Sequence, residues 1–138
     1  MHPTLFDSNS GGGERMSKAE KWEELKLRPP KCIKVDGIKE LVRFAASMIS
    51  LGQATYIIHF EDKGKHIYGL LAVYHDYYNY YGVPLFYYCV CEKPVEGSYA
   101  LIKMSEKEEF MISDGVKPGW VAAPIINLKE KPDFIEVE

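Results

Sequence analysis

Ala54–Tyr74 reads ATYIIHFEDKGKHIYGLLAVY, and it begins where the apolar period of the chain shortens from that of a helix to that of a strand. Asp62-Lys63-Gly64 interrupts the run and is expected to form a three-residue hairpin turn, with Gly64 as its left-handed residue. Ala54–Glu61 and Lys65–Tyr74 are then the two strands of a hairpin. Counting away from that turn pairs Phe60 with His66, Ile58 with Tyr68, and Tyr56 with Leu70 on one face. The other face carries His59 with Ile67, Ile57 with Gly69, and Thr55 with Leu71. On this register His59 and His66 fall on opposite faces and do not meet.

Just upstream, Ile38, Leu41, Val42, Ala45, Met48 and Ile49 recur on one helical face. Asp36 is the expected N-cap and Gly52 sits where a C′ glycine belongs, so a helix is predicted over about residues 37–51. A thinner helix is predicted over about residues 17–27. Ser17-Lys18-Ala19-Glu20 fits a capping box, Ala19, Trp22 and Leu25 line one side, and Pro29-Pro30 stops it. Cys32–Val35 is a short strand candidate. Residues 1–15 are expected to be a disordered tail or a segment foreign to the natural chain, since Ser8–Gly13 is a Ser/Gly linker and Met16 is a candidate start. Residues 16–138 are then a single domain.

Downstream of the hairpin, Leu85–Glu92 and Ser98–Met104 read as strands, and Phe110–Ser113 and Trp120–Asn127 as weaker ones. Pro124 would put the last of these at a sheet edge. Asp133–Glu138 is either a short final strand or a frayed end. The expected fold is α+β: two N-terminal helices followed by an antiparallel meander of four to six strands, with helix 37–51 packed on one sheet face.

An antiparallel sheet with one wet face alternates apolar and polar residues. Here both alternating sets are largely apolar in Ala54–Phe60, in Lys65–Tyr74 and in Leu85–Cys91. One strong helix covers one face only. The other requires a curled sheet, a C-terminal segment folded over it, or a second copy of the chain. A homodimer through the tyrosine-bearing face is the expectation taken from this, because each buried ring is worth several kcal/mol at roughly 25 cal/mol per Å².

Function is sought first in Tyr74–Cys91, YHDYYNYYGVPLFYYCVC, which holds seven of the ten tyrosines. Tyrosine joins a large apolar ring to a polar tip and suits surfaces that are half buried and half wet. Tyr74, His75, Asp76, Tyr77, Tyr78, Tyr80 and Tyr81 are the expected ligand- or partner-binding residues. Protein contact is favoured over nucleic acid, because no lysine or arginine lies between Lys65 and Lys93 to hold a phosphate backbone. With 17 basic and 20 acidic residues spread along the chain, no basic footprint supports nucleic-acid binding elsewhere.

Cys89-Val90-Cys91 puts two thiols on one strand face, where core packing is the expectation, since structural zinc sites use a wider spacing on turns and a second ligand pair. His75-Asp76 stands at a strand end, where neighbours point to opposite faces, and is read as polar lining beside the aromatic loop. No metal, cofactor or catalytic residue is assigned. The single glutamine and three asparagines, against fourteen lysines and fourteen glutamates, lean towards a thermophilic source. Three cysteines without a disulfide framework, no apolar leader and no membrane-length apolar run give the expectation of a cytoplasmic protein with no membrane contact. The functional expectation is a non-enzymatic binding or self-associating module that uses its tyrosine-rich sheet face and loop. The alternative is a small-molecule-binding protein or enzyme with a pocket between helix and sheet near residues 75–81.

Overall fold

The computed structural model describes residues 25–74 and 83–137. Seven strands form one sheet: β1 (Lys31–Lys34), β2 (Ile57–Asp62), β3 (Lys65–Tyr74), β4 (Val83–Cys91), β5 (Tyr99–Lys103), β6 (Glu109–Ser113) and β7 (Val121–Asn127), in the order β1-β4-β3-β2-β7-β5-β6. Among the described residues a single long helix, α1 (Ile38–Ser50), joins β1 to β2.

The sheet is mixed, which overturns the expected antiparallel meander of four to six strands behind two N-terminal helices. β2, β3 and β4 do meander. β1, however, runs parallel to β4, with Cys32 beside Phe86 and Ile33 beside Tyr87. β7 runs parallel to β2, with Ile57 beside Ile125 and His59 beside Asn127. A parallel strand needs a crossover rather than a tight turn, and the 13 residues of α1 supply it between β1 and β2. Of the first predicted helix, residues 25–27 form a helical turn, and residues 17–24 lie outside the described residues.

Pro124 does not put β7 at an edge. The Ile125 N–H donates to Ser98 O on the β5 side, so alternation turns the Pro124 nitrogen the other way. There β2 has not yet begun to pair, because its register with β7 starts at Ile125. The missing donor therefore falls on a side of β7 where no β2 partner asks for it.

α1 begins at Gly37, whose extended backbone lets Gly37 O accept the Leu41 N–H at 3.1 Å. Asp36 is therefore not the cap, and no side chain caps this end. At the other end Gly52, at φ 84°, takes the left-handed turn, and its N–H donates to Ile49 O at 2.9 Å.

The register of the central hairpin is shifted by one residue from the expected one. The turn has two residues, not three. Lys63 and Gly64 both have positive φ, 53° and 79°, the conformation that matches strand twist in a two-residue hairpin. Glu61 now pairs with His66, Phe60 with Ile67, His59 with Tyr68, and Ile58 with Gly69. A one-residue slip carries one whole strand's side chains to the opposite face relative to its partner.

Both faces are apolar, and both are covered. On one, Leu41, Val42, Ala45 and Ala46 of α1 pack on Ile57, Tyr68, Leu70, Ala100, Ile102 and Ala123. On the other, Ile58, Phe60, Ile67, Leu71, Phe86 and Tyr88 lie beneath Leu25, Phe134 and Ile135. The chain itself thus supplies the second cover, from the helical turn before β1 and the segment after β7. Lys131 fastens that segment, donating from Nζ to Ile135 O at 2.7 Å and to Pro132 O at 3.3 Å.

Gly69 lies beneath this cover, hard against Phe86. A Cβ there would run into the Phe86 ring and stand 2.9 Å from Tyr87 O. Replacing Gly69 with Ala is expected to lower stability by about 1–3 kcal/mol through overpacking. Adding Phe86→Leu should recover part of that loss, seen as a non-additive shift in denaturation midpoint. Ile135→Ala should cost about 2–5 kcal/mol in the same assay, because Ile135 is fully buried at the centre of the second cover.

Candidate functional site

The tyrosine-rich stretch divides at Val83. Tyr74 ends β3 directly opposite Val83 at the start of β4. His75, Asp76, Tyr77, Tyr78, Tyr80 and Tyr81 lie outside the described residues. Beyond Val83, β4 sends alternate side chains to alternate faces. Phe86 and Tyr88 are buried under the C-terminal segment, where Phe86 stacks between Phe60 and Tyr88. Cys89 is buried under α1. Tyr68 of β3 is buried as well, and its hydroxyl accepts the Val95 N–H at 2.8 Å. These tyrosines spend their rings on the core.

Tyr87 does not. It is half-buried beside the β1 edge strand, with its ring stacked on Phe44 of α1 at 4.9 Å and 16°. Phe44 is 38% exposed and Leu51, seven residues on, is 76% exposed. Two helical turns separate them, so they share one flank of the helix. The opposite flank is held by charge: Arg43 and Lys39 both reach Glu108 in the β5–β6 connection. The Arg43 guanidinium holds the Glu108 carboxyl below its usual range.

The three cysteines sit where burial disfavours the thiolate. Burial pushes the Cys89 thiol up to about 12, with Cys91 adding to the effect, and burial likewise raises Cys91 and Cys32. The thiolate is the form that attacks and ligates, so each of these shifts works against that chemistry. Among the described residues, no three His, Cys, Asp or Glu side chains stand together in a way that would hold a metal ion.

A polar cluster does form at the hairpin end of the helix-covered face. The register lays Glu61, His66 and Cys91 in one row across β2, β3 and β4. Asn127, His59, Tyr68 and Cys89 make the next row, from β7 to β4. His59 lies flat on Tyr68, with ring centroids 4.4 Å apart and planes at 16°. Its Nδ1 is 2.7 Å from Asn127 Oδ1, and its Nε2 is 3.0 Å from His66 Nδ1. Asn127 Oδ1 can only accept, so His59 Nδ1 carries a proton. In the neutral ring Nε2 is then an acceptor, and His66 Nδ1–H donates to it.

A three-residue turn would keep the two histidines apart, on opposite faces. The signal that would have joined them is glycine at the second position of a two-residue turn. Lysine is an unfavoured residue at the first position, which hides the pattern.

Burial lowers the His59 pKa below 6.5. The neighbouring His66 lowers it further, and the Asn127 hydrogen bond and Glu61 act in the opposite direction. The folded state therefore favours the neutral ring. Stability from this source is complete above pH 6.5, the ordinary value, and is lost as pH falls through the lower folded-state value. Asn127→Ala removes an interaction that favours the protonated ring. It is expected to move the His59 titration midpoint further down, read from the imidazole NMR signals, while lowering stability by about 1 kcal/mol for the lost hydrogen bond. No family model, no curated protein and no solved structure matches this chain.

Proposed function

We propose that the protein is a non-enzymatic, self-associating binding module. Its contact surface is the aromatic flank of α1, Phe44 with Leu51 and Tyr87, continued into the tyrosine segment Tyr74–Tyr81. The observation that carries this reading is the Phe44–Tyr87 stack, an aromatic pair left half open beside an edge strand. Large apolar rings with a wet rim are what interface centres are made of.

Continuity along β4 supports extending the surface. Val83 lies four positions before Tyr87, about 13 Å at strand rise. Val83 pairs with Tyr74, and between them run the eight residues that hold His75, Asp76, Tyr77, Tyr78, Tyr80 and Tyr81. Self-association is the chosen form because a patch that is apolar and nearly uncharged can meet its own copy across a two-fold axis without opposing charges.

Sedimentation velocity of the protein and of its Phe44→Lys variant is the test. The protein should shift from monomer to dimer between micromolar and near-millimolar concentration, and the variant should stay monomeric with an unchanged circular dichroism spectrum. A monomer throughout, for both, removes the reading. A thermal shift of the monomer on adding a nucleotide or an acyl thioester would move the assignment to a small-ligand site at residues 75–81.

A further inference from the structure

We propose that His59 and His66 form a proton-operated latch at the hairpin end of the sheet, closed while a single hydrogen lies between their facing nitrogens and opened when acid makes both imidazoles cationic. The geometry carries this. The two ring nitrogens face each other at 3.0 Å, which leaves room for one hydrogen between them. In the closed form His66 Nδ1–H fills that space. A proton on His66 Nε2 would leave the contact intact. A second must go to His59 Nε2, where it meets the His66 Nδ1–H head on. His59 has no other nitrogen to offer, since Nδ1 already donates to Asn127 Oδ1. Two cationic rings also repel at a centroid separation of 5.2 Å.

His66 is the ring that leaves. His59 is held from two sides, by Asn127 of β7 and by the face of Tyr68. His66 stands near the two-residue turn, and Glu61 lies directly across from it on β2. An outward-swung imidazolium thus finds a carboxylate in the facing cross-strand position. The remaining neighbours oppose nothing. Cys91 and Cys89 on β4 and Tyr68 on β3 are neutral, and Asn127 on β7 carries no charge. Lys65 and Glu92 pair with each other at 3.8 Å, and strand alternation puts both on the opposite face.

The latch acts on Tyr68. One side of its ring carries His59, and its hydroxyl holds the Val95 N–H in the connection from β4 to β5. Opening the pair removes one wall of His59 and loosens the stack on Tyr68. The acid signal then passes to the β4–β5 connection. The contact uses no residue of the aromatic flank, so it stands whether or not the protein self-associates.

The test is an NMR pH titration that follows the imidazole signals of His59, the ring signals of Tyr68 and the amide of Val95, in the protein and in His66→Gln. In the protein, Tyr68 and Val95 should shift with the same midpoint as His59, below pH 6.5. In His66→Gln, the His59 midpoint should rise, and the Val95 amide should no longer follow it. Tyr68 and Val95 signals that stay fixed while His59 titrates would overturn the latch, as would a His59 midpoint unmoved by His66→Gln. Should that variant fail to fold, the shared midpoint in the unaltered protein decides alone.

Discussion

The register of the β2–β3 hairpin determines which side chains meet on both faces of this sheet. It is set at Lys63 and Gly64, two left-handed residues in succession. With that turn in place, Phe60 and Ile67 share one face with Phe86, and His59, His66 and Tyr68 share the other. A slip of one residue would put His66 among the aromatic rings under the C-terminal segment. It would also put Ile67 against the polar row. Neither exchange is tolerable at once on two covered faces. A sheet buried on both sides therefore holds its central register more firmly than one with a wet face.

Double burial also explains the topology. A meander alone leaves every apolar residue of its second face in water. The chain closes that face with what precedes β1 and follows β7: Leu25 on one side, Phe134 and Ile135 on the other. For the end of the chain to arrive there, β7 must run beside β2 and in the same direction. Leu128 N–H, donating to His59 O at 2.7 Å, continues that alignment one step past the strand. The parallel pairings are thus a consequence of how the two ends are brought over the second face.

Much of this was legible in the residues. The spacing of Leu41, Val42 and Ala45 marks α1 because a helix half-buried on a sheet needs that period. The apolar run on both sides of β3 and β4 showed that two covers were required. What the residues did not disclose was who pairs with whom. Cys32 and Ile33 read the same whether β1 lies beside β2 or, as it does, beside β4. Pro124 reads as an edge residue unless one knows that β7 changes partners beside it. Of the expected site residues, Tyr74 ends β3, and His75, Asp76, Tyr77, Tyr78, Tyr80 and Tyr81 lie outside the described residues. Tyr88, part of the same tyrosine-rich stretch, is a core residue, whereas Phe44, assigned to no face by its spacing, is 38% exposed.

The histidine pair follows from the same geometry that hides it. α1 spans 13 residues, about 20 Å at helical rise, whereas the ten residues of β3 extend about 33 Å. A helix of that length leaves an end of its sheet face without helical cover. Aliphatic side chains at such an end would be left wet on one side. Histidine and tyrosine suit it better, each with an apolar ring body and a polar rim. His59 uses both, its ring against Tyr68 and its nitrogens towards Asn127 and His66. The packing need alone accounts for an imidazole here, and a second imidazole within hydrogen-bond distance makes the cover sensitive to protons. Two amides could fill the same space and bond equally well, but they would not open in acid, and that difference separates a latch from a lid.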